Sequence, residues 1–508
     1  MIKSNGGIIG PDNVTTGGAF GSASGVFKLG EVTNLIKDSK WPTAGPQGYQ
    51  VANSCRFNSG SSDYLNGSGG AGSTKTKFTF STWIKRSEIT AAAGDDIILA
   101  KWSSAADRGH INFSDTPTGV IQLFEKVSNT VTAHLVTNRL FRDVSAWYHI
   151  VYIGDTTQGT AANRLKLYVN GVQETSFGTA TYPSENYNWE LQTLTQDFGV
   201  GAIAANNAGA SPFGGYLSEV VYLDGVAGDV TDFGEFDSQT GIWVPKVVTG
   251  LTFGNNGFYL PFTNASALGE DFSGNDNDFT ANNLTSLDQS VDTCTNNFST
   301  LNALHRVDGY SFAQGNLEFT NSSSEHRMTN SSIAVSQGKW YAEVKIDSVG
   351  QSQSIGVINP DNFLYNTYFH NAGRGYGYKS NDGNKVFNDS VNTSYGNSYT
   401  TGDIIGIAMD LDNYKLYYSK NGTFQNSGDP TSGSTGTGSA FDLATGVAYS
   451  FGQSSQDGGT NPVTSWNFGS PSFAISSGNV DSSGMGNFEY AVPSGYYSLC
   501  TRNLNLIG

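Results

Sequence analysis

Three stretches of this 508-residue chain concentrate side chains suited to holding sugars. Sugar recognition uses aromatic faces against C–H patches and a few amide, carboxylate or guanidinium groups, commonly on loops at the rim of a β-sandwich. Residues 182–190, YPSENYNWE, place Tyr187 and Trp189 beside Asn188 and Glu190. The segment from Trp102 to His110 adds Asp107 and Arg108. Residues 362–374 carry Tyr365, Tyr368, His370 and Arg374 among amides, without strict alternation. The candidate glycan-binding residues are therefore Trp102, Asp107, Arg108, Tyr187, Trp189, Tyr365, Tyr368 and His370. Each stretch has a competing reading as a loop packed on its own sandwich or against a sister chain, because aromatic loops serve oligomer contacts equally well.

Catalysis has less support. Retaining glycosidases need two carboxylates about 5–5.5 Å apart, which one strand supplies as an E-x-D-x-(x)-E run on a single face. The chain contains no such run. Glu219 and Asp224 are five residues apart and would point to opposite faces of a regular strand. Asp237 to Trp243 has the wrong Asp-to-Gly spacing for a sialidase-type Asp box. No G-x-S-x-G elbow, Walker P-loop, H-E-x-x-H pair or dinucleotide fingerprint after a strand occurs. The six histidines are dispersed, and His149 reads as a histidine on a strand face. The turn 271–278, DFSGNDND, is dense in carboxylates but lacks the Gly and Glu placement of an EF-hand loop. The expectation is no enzyme, no cofactor and no metal site, with calcium at that turn as the one alternative.

The elements that must position these groups read as strands. In Gly402–Gly422, GDIIGIAMDLDNYKLYYSKNG, residues Ile404 to Met409 are apolar on both faces. Asp410, Asp412 and Asn413 then supply turn chemistry. The return strand sets Leu416 and Tyr418 on one face and Lys415, Tyr417 and Ser419 on the other. Asn421-Gly422 closes with a type I′ signal. Trp147–Gly171 repeats the plan and ends at Asn170-Gly171. Phe78–Lys85 alternates with period 2, and Pro261 makes Gly257–Phe262 an edge-strand candidate. Residues 31–40 form the one helical pattern, ended by Trp41-Pro42.

Charged residues make up only 14% of the chain, aromatic residues 12%, and glycines number 63, a mixture that suits an all-β protein rich in turns. The net charge of −17 argues against nucleic acid as a partner. Cys55, Cys294 and Cys500 fit neither a metal spacing nor a disulfide framework and read as free thiols. No apolar run is long enough for membrane insertion. The opening residues lack the apolar core of a secretory signal, so synthesis in a cytoplasm is expected.

Two family resemblances follow from motifs. Arg56-Phe57-Asn58, Ser62-Asp63-Tyr64, Phe78–Lys85, Trp147-Tyr148-His149, Leu167–Gly171 and Phe213–Glu219 resemble a concanavalin A-like, laminin-G-type domain. Gly338-Lys339-Trp340-Tyr341, Ser354–Val357, Gly402–Gly422 and Asn467–Phe473 resemble the SPRY domain. The resemblance implies an all-β fold of two antiparallel jelly-roll-type β-sandwiches, with a short N-terminal arm and helix. The first family often binds glycans or proteins and sometimes coordinates calcium. The expected organisation is an arm and possible virion anchor over 1–48, the first sandwich over 49–228, a bridge over 229–312 and the SPRY-type sandwich with a C-terminal extension over 313–508. The pairing of the two units is similar to tail fibres and other virion appendages of marine bacteriophages. That resemblance implies a virion structural protein that attaches to host-surface polysaccharide and meets other virion proteins through its N-terminal region. A homo-oligomer, with a trimer favoured, accompanies that reading. A decoration protein binding only virion proteins and a polysaccharide depolymerase are the alternatives.

Overall fold

The computed structural model describes residues 48–507, apart from 71, 90–95, 116–117, 239, 305–308, 365–366, 369–370, 372–374 and 389–390, together with two short strands near the N-terminus. Those strands, Ile8–Gly10 and Gly25–Phe27, pair antiparallel with Ile9 opposite Val26. The helix expected over 31–40, the rest of the arm, and candidate residues Tyr365 and His370 lie outside the described residues.

The first sandwich packs two eight-stranded sheets face to face. One, called here the junction sheet, runs Val172–Gln173, Leu165–Val169, Tyr148–Asp155, Lys77–Arg86, Gly215–Asp224, Ser54–Phe57 and Gln289–Ser290, with Phe258–Leu260 also on Gly215–Asp224. The other, the platform sheet, runs Phe177–Thr181, Thr130–Thr137, Thr118–Val127, Arg108–Asp115, Asp96–Trp102, Phe198–Val200, Tyr64–Gly67 and Phe279–Asn282. Alternation decides what each strand buries: Leu165, Leu167 and Val169 enter the core while Lys166 and Tyr168 stay half-exposed. Phe78, Phe80, Leu99, Ile111, Leu123 and Leu217 meet between the sheets.

The second sandwich packs a nine-stranded sheet on a six-stranded one. Its central hairpin joins Ile404–Asp410 to Lys415–Lys420, with Ala408 opposite Tyr417. Asp410 closes the turn by accepting from the Asp412 and Asn413 backbone N–H groups at 3.1 and 2.9 Å. Asn421 and Gly422 take φ of 47° and 79°, as a type I′ turn requires, and Asn170-Gly171 does the same at 49° and 76°. Both faces of the return strand are covered: Phe488 and Tyr496 of the C-terminal extension pack over Tyr341, Ala408 and Tyr417. Glu343 holds that extension by accepting from the N–H groups of Glu489 and Tyr490, each at 2.9 Å.

The segment 229–312 serves both sandwiches. Phe258–Leu260, Phe279–Asn282 and Gln289–Ser290 pair with strands of the first. Phe298 and Leu301 bridge to Cys500 and Ser331 in the second. Before that, the chain straps the outer face of the junction sheet, where Val230, Phe233 and Trp243 pack on Trp83, Val151 and Val221. Within this strap, Trp243 Nε1 donates to His149 Nδ1 at 2.9 Å, so the imidazole proton sits on Nε2 and points to Ser81 Oγ, also 2.9 Å away.

Where the two sandwiches meet, Arg56, Tyr216 and Lys85 stand in one cross-strand row of the junction sheet. Arg56 donates to Gln314 Oε1, Pro471 O, Leu287 O and Asp288 Oδ1. Tyr216 Oη donates to Gly315 O at 2.9 Å. Lys85 Nζ is 2.7 Å from both Asp292 Oδ2 and Asn297 Oδ1. Trp147 Nε1 donates to the other Asp292 oxygen.

Two outcomes follow. Lys85→Met leaves Asp292 buried without its cation and costs about 3–5 kcal/mol in denaturant unfolding, whereas Lys85→Met with Asp292→Leu recovers much of that loss. Burial holds the His149 imidazole down at about 3 against an ordinary 6.5. The unfolded chain therefore binds the extra proton between those values, so this contribution is full above pH 6.5 and is lost as pH falls towards 3. At pH 5 the wild type should lose about 2 kcal/mol relative to His149→Gln, read as the change in the stability difference between pH 7.5 and 5.

Candidate functional site

The outer face of the platform sheet carries a built array of aromatic and basic side chains. Two cross-strand rows make it: Trp102, Arg108 and Lys126 in one, and Ala100, His110, Phe124 and His134 in the next. Successive residues of a strand point to opposite faces, so Ile111, Leu123 and Leu135 fill the core while these face outward. Ring centroids lie 5.9 Å apart for Trp102–His110, 5.3 Å for His110–Phe124 and 5.0 Å for Phe124–His134. The Arg108 guanidinium sits 4.6 Å from the Trp102 ring and 5.1 Å from Phe124. Trp102 is braced from behind by Ile97, Ala100 and Ile203. Trp102, Arg108, Phe124, Lys126 and His134 are all half-exposed, giving a shallow aromatic floor with a cationic edge.

Both imidazoles are neutral hydrogen-bonding groups. Burial, reinforced by Arg108 and His134, lowers His110 to about 3, and burial also lowers His134. His134 Nε2 meets Gln122 Oε1 at 2.9 Å. The oxygen is an acceptor only, so this nitrogen carries the proton. His110 is 3% exposed, and its Nδ1 has no protein partner among the described residues.

Of the candidates named from sequence, Trp102 and Arg108 come together here. Asp107 sits beside them but is turned into the neighbouring hairpin, where Oδ1 accepts from Ser128 N–H at 2.7 Å. The loop 182–190 requires a correction. Trp189 is 0% exposed, donates from Nε1 to Thr76 O and meets Phe78 edge-on at 5.0 Å, so its face is a core contact and closed to a sugar. Tyr187 is half-buried, with its hydroxyl on Thr132 and Glu125. Glu125, a buried carboxyl pushed up to about 8 by desolvation, helps hold this loop down by also accepting from the N–H groups of Glu190 and Leu191. Tyr368 lies far along the chain in the second sandwich, 45% exposed, its ring 3.7 Å from that of His326. His110, Gln122, Phe124, Lys126 and His134 were missed from sequence. Outward parity in RGHINF, QLFEK and TAHL is the signal that could have found them.

The carboxylates weighed for catalysis and for calcium accept hydrogen bonds from within the protein. Glu219 sits at a bulge with φ 51°, so its strand is not the regular one assumed, and its carboxylate takes the hydroxyls of Tyr259 and Tyr49. Asp224 accepts from the backbone of Ser73, Asn255 and Asn256. In the turn 271–278, Asp271 accepts from Tyr259, Ser273 and Asn277 N–H groups, and Asp278 from Asp271. No cluster of three or more His, Cys, Asp or Glu able to hold a metal occurs among the described residues. The three cysteines are free.

Residues 59–227 match the model of the concanavalin A-like lectin/glucanases superfamily in its laminin-G form, and residues 339–443 match the SPRY domain model. The chain carries both domains. The laminin-G-type domain holds the platform, and the SPRY domain holds the Gly402–Gly422 hairpin. The chain is similar to a Ran-binding proteins 9/10 homolog of Drosophila melanogaster, 34% identical over 91 residues, which is 18% of this chain and 10% of that one. It is also similar to the dual specificity protein kinase splA of Dictyostelium discoideum, 35% identical over 121 residues, covering 22% of this chain and 4% of the relative. The chain thus spans a tenth or less of the length of these two relatives. Among solved structures, it resembles a putative carbohydrate binding protein from Bacteroides ovatus, at 15% identity and TM-score 0.32 over 47% of this chain and 60% of that one. The SPRY domain of human HERC1 aligns at 16% identity and TM-score 0.25, covering 30% of this chain and 87% of that one.

The two tryptophans give a paired test. Trp189→Ala should cost about 3–5 kcal/mol in unfolding, as a large core deletion does, while Trp102→Ala should lose well under half of that. Equal losses would show that Trp102 belongs to the core and not to a binding face.

Proposed function

We propose that the protein is a glycan-binding structural protein whose laminin-G-type domain presents the Trp102–Phe124 platform to a polysaccharide. The single observation carrying this reading is the two-row array, because ring faces, a guanidinium and neutral hydrogen-bonding imidazoles are the groups that sugar rings and hydroxyls need. The combination of its two domains, with the resemblance of its motifs to phage appendages, supports placing it on a virion as a tail fibre or other host-attachment protein. In that setting the chain acts without catalysis, cofactor, nucleic acid or membrane insertion. Its partners are sister copies, favoured as a trimer, virion proteins met through the N-terminal region, and host-surface polysaccharide. Several weak sites held on one particle would then act together through effective concentration.

A second reading, a decoration protein that touches only other virion proteins, draws on a different surface. Val172, Phe236, Ile242 and Val247, each 50–57% exposed, sit on or beside the strap hairpin formed by Gly234–Phe236 and Trp243–Pro245. Exposed apolar side chains in that number suit a protein contact. Adsorption of the labelled full chain to host cells, competed by the cells' purified polysaccharide and abolished by Trp102→Ala with Phe124→Ala, is the expected result. Adsorption that ignores both the competitor and the double variant would favour protein contact. Release of reducing sugar from the same polysaccharide would make the protein a depolymerase.

A further inference from the structure

We propose that Lys85 and Asn297 join through an isopeptide bond, formed once in each folded chain with loss of ammonia and with Asp292 carrying the protons. The three groups that such a reaction needs, an amine, a carboxamide and a carboxylate, converge where the two sandwiches meet. Lys85 Nζ is 2.7 Å from Asp292 Oδ2 and 2.7 Å from Asn297 Oδ1, across 207 and 212 positions of sequence. The Lys85 and Asp292 side chains are each 1% exposed. The Tyr216 ring centroid lies 5.3 Å from the ammonium, Phe298 O is 3.4 Å from it, and the Trp147 indole donates to Asp292. A lysine desolvated in this way is placed to act as a nucleophile once it gives up a proton.

Each member of the trio is held by anchors of its own. Lys85 stands opposite Tyr216 on the junction sheet. Asp292 donates its N–H to Ser290 Oγ at 3.1 Å and accepts at its carbonyl from Ser54 Oγ at 2.7 Å. Its Oδ1 accepts from Trp147 Nε1 and Phe298 N–H, which leaves Oδ2 to face the lysine. Asn297 donates its N–H to Thr501 Oγ1, and its Nδ2 donates to Ser145 O at 2.7 Å. These contacts fix which way the amide points, because a flip would set its NH2 against an ammonium and its oxygen against a carbonyl. The carbon to be attacked is thus one bond from an oxygen already polarised by the lysine. Holding the reacting groups in this arrangement replaces an encounter in water with a step inside one molecule.

The reaction balances within the trio. The ammonium passes one proton to Asp292 Oδ2, which turns a buried ion pair into an uncharged amine and acid. The freed lone pair forms a bond to Asn297 Cγ, and the carbonyl electron pair moves to Oδ1. Asp292 then hands its proton to Nδ2 and takes one from the attacking nitrogen. As the electron pair returns from Oδ1, the bond from Cγ to Nδ2 breaks and ammonia leaves. Lys85 ends as an amide N–H, and Asp292 ends protonated until solvent removes that proton. No oxidant, metal or second molecule takes part. Asn297 is half-buried, which gives the ammonia a way out. The bond ties Lys77–Arg86, a central strand of the junction sheet, to the bridge. A force applied to the two ends of the chain then passes through the bond and bypasses residues 86–296, where the platform lies.

The test is the intact mass of the purified full chain after incubation in the folded state. It should fall short of the sequence mass by one ammonia, and digestion after unfolding should release a branched peptide joining Lys85 to Asn297. Both signs should vanish in Asn297→Ala, which leaves the Lys85–Asp292 pair in place, and in Asp292→Asn, which removes the proton carrier. The unlinked Asn297→Ala chain should also run differently from wild type on a denaturing gel, because the wild type keeps a closed loop. In linked protein, Lys85→Met loses more stability than the ion pair alone accounts for, and Asp292→Leu does not restore that excess. Wild-type protein of full mass overturns the proposal, whatever the variants do. So does an ammonia loss that maps to a succinimide at Asn170-Gly171 or Asn421-Gly422, since an Asn-Gly step can shed the same mass. A bond that still forms in Asp292→Asn overturns the part given to Asp292.

Discussion

The structure depends on the row Arg56–Tyr216–Lys85. Moving a guanidinium and an ammonium out of water costs several kcal/mol each unless their hydrogen-bonding capacity is met. Arg56 is 0% and Lys85 1% exposed, and neither finds its partners within the first sandwich's own sheets. The bridge supplies Asp288, Asp292 and Asn297, and the second sandwich supplies the carbonyls of Gly315 and Pro471 and the Gln314 amide. The first sandwich can bury this face only when the bridge is folded against it. In a chain with so few charged residues, placing two cations here fixes how the sandwiches sit on each other.

That junction also determines which faces are left for binding. One end of the junction sheet's outer face is taken by the second sandwich and the other by the strap through Trp83, His149 and Trp243. The nine-stranded sheet of the SPRY domain is covered by the chain's own C-terminal extension, held by Glu343. The platform sheet is the wide sheet whose outer rows keep half-exposed aromatic and basic side chains. This distribution of cover, as much as composition, is what marks it as the candidate site.

Local features were legible in the sequence. The two Asn-Gly turns, the Asp410 turn and the alternation of Leu165–Val169 depend on neighbours within a few residues, and each formed as read. Features set by long-range pairing were not. Trp102 and Trp189 look alike in sequence, each aromatic beside polar residues. Contacts far along the chain draw the second into the core: Thr76 and Phe78 hold Trp189 itself, and the buried Glu125 holds the next two backbone N–H groups. Alternation places His110 and Phe124 on one face of their strands, but the register that puts them side by side is a property of the pairing. The bulge at Glu219 and the burial of Tyr417 were invisible for the same reason: a partner strand or a distant tail decides them.

Rigidity links the junction to recognition. A platform on paired strands, in front of a core that is tied by buried ion pairs to the bridge and by hydrogen bonds to the second sandwich, has little freedom left to lose when a ligand arrives. The cost of ordering side chains is about 0.5–1.5 kcal/mol for each one immobilised, and Arg108 is already held between two rings. A shallow face of this kind offers few contacts and little enclosure, so a single site binds weakly even when preorganised. Low ordering cost at each site lets several copies gain from acting together, since every added contact keeps most of its free energy. On the proposed reading, the buried cations at the junction would matter to binding without touching a ligand, by keeping the platform in one shape.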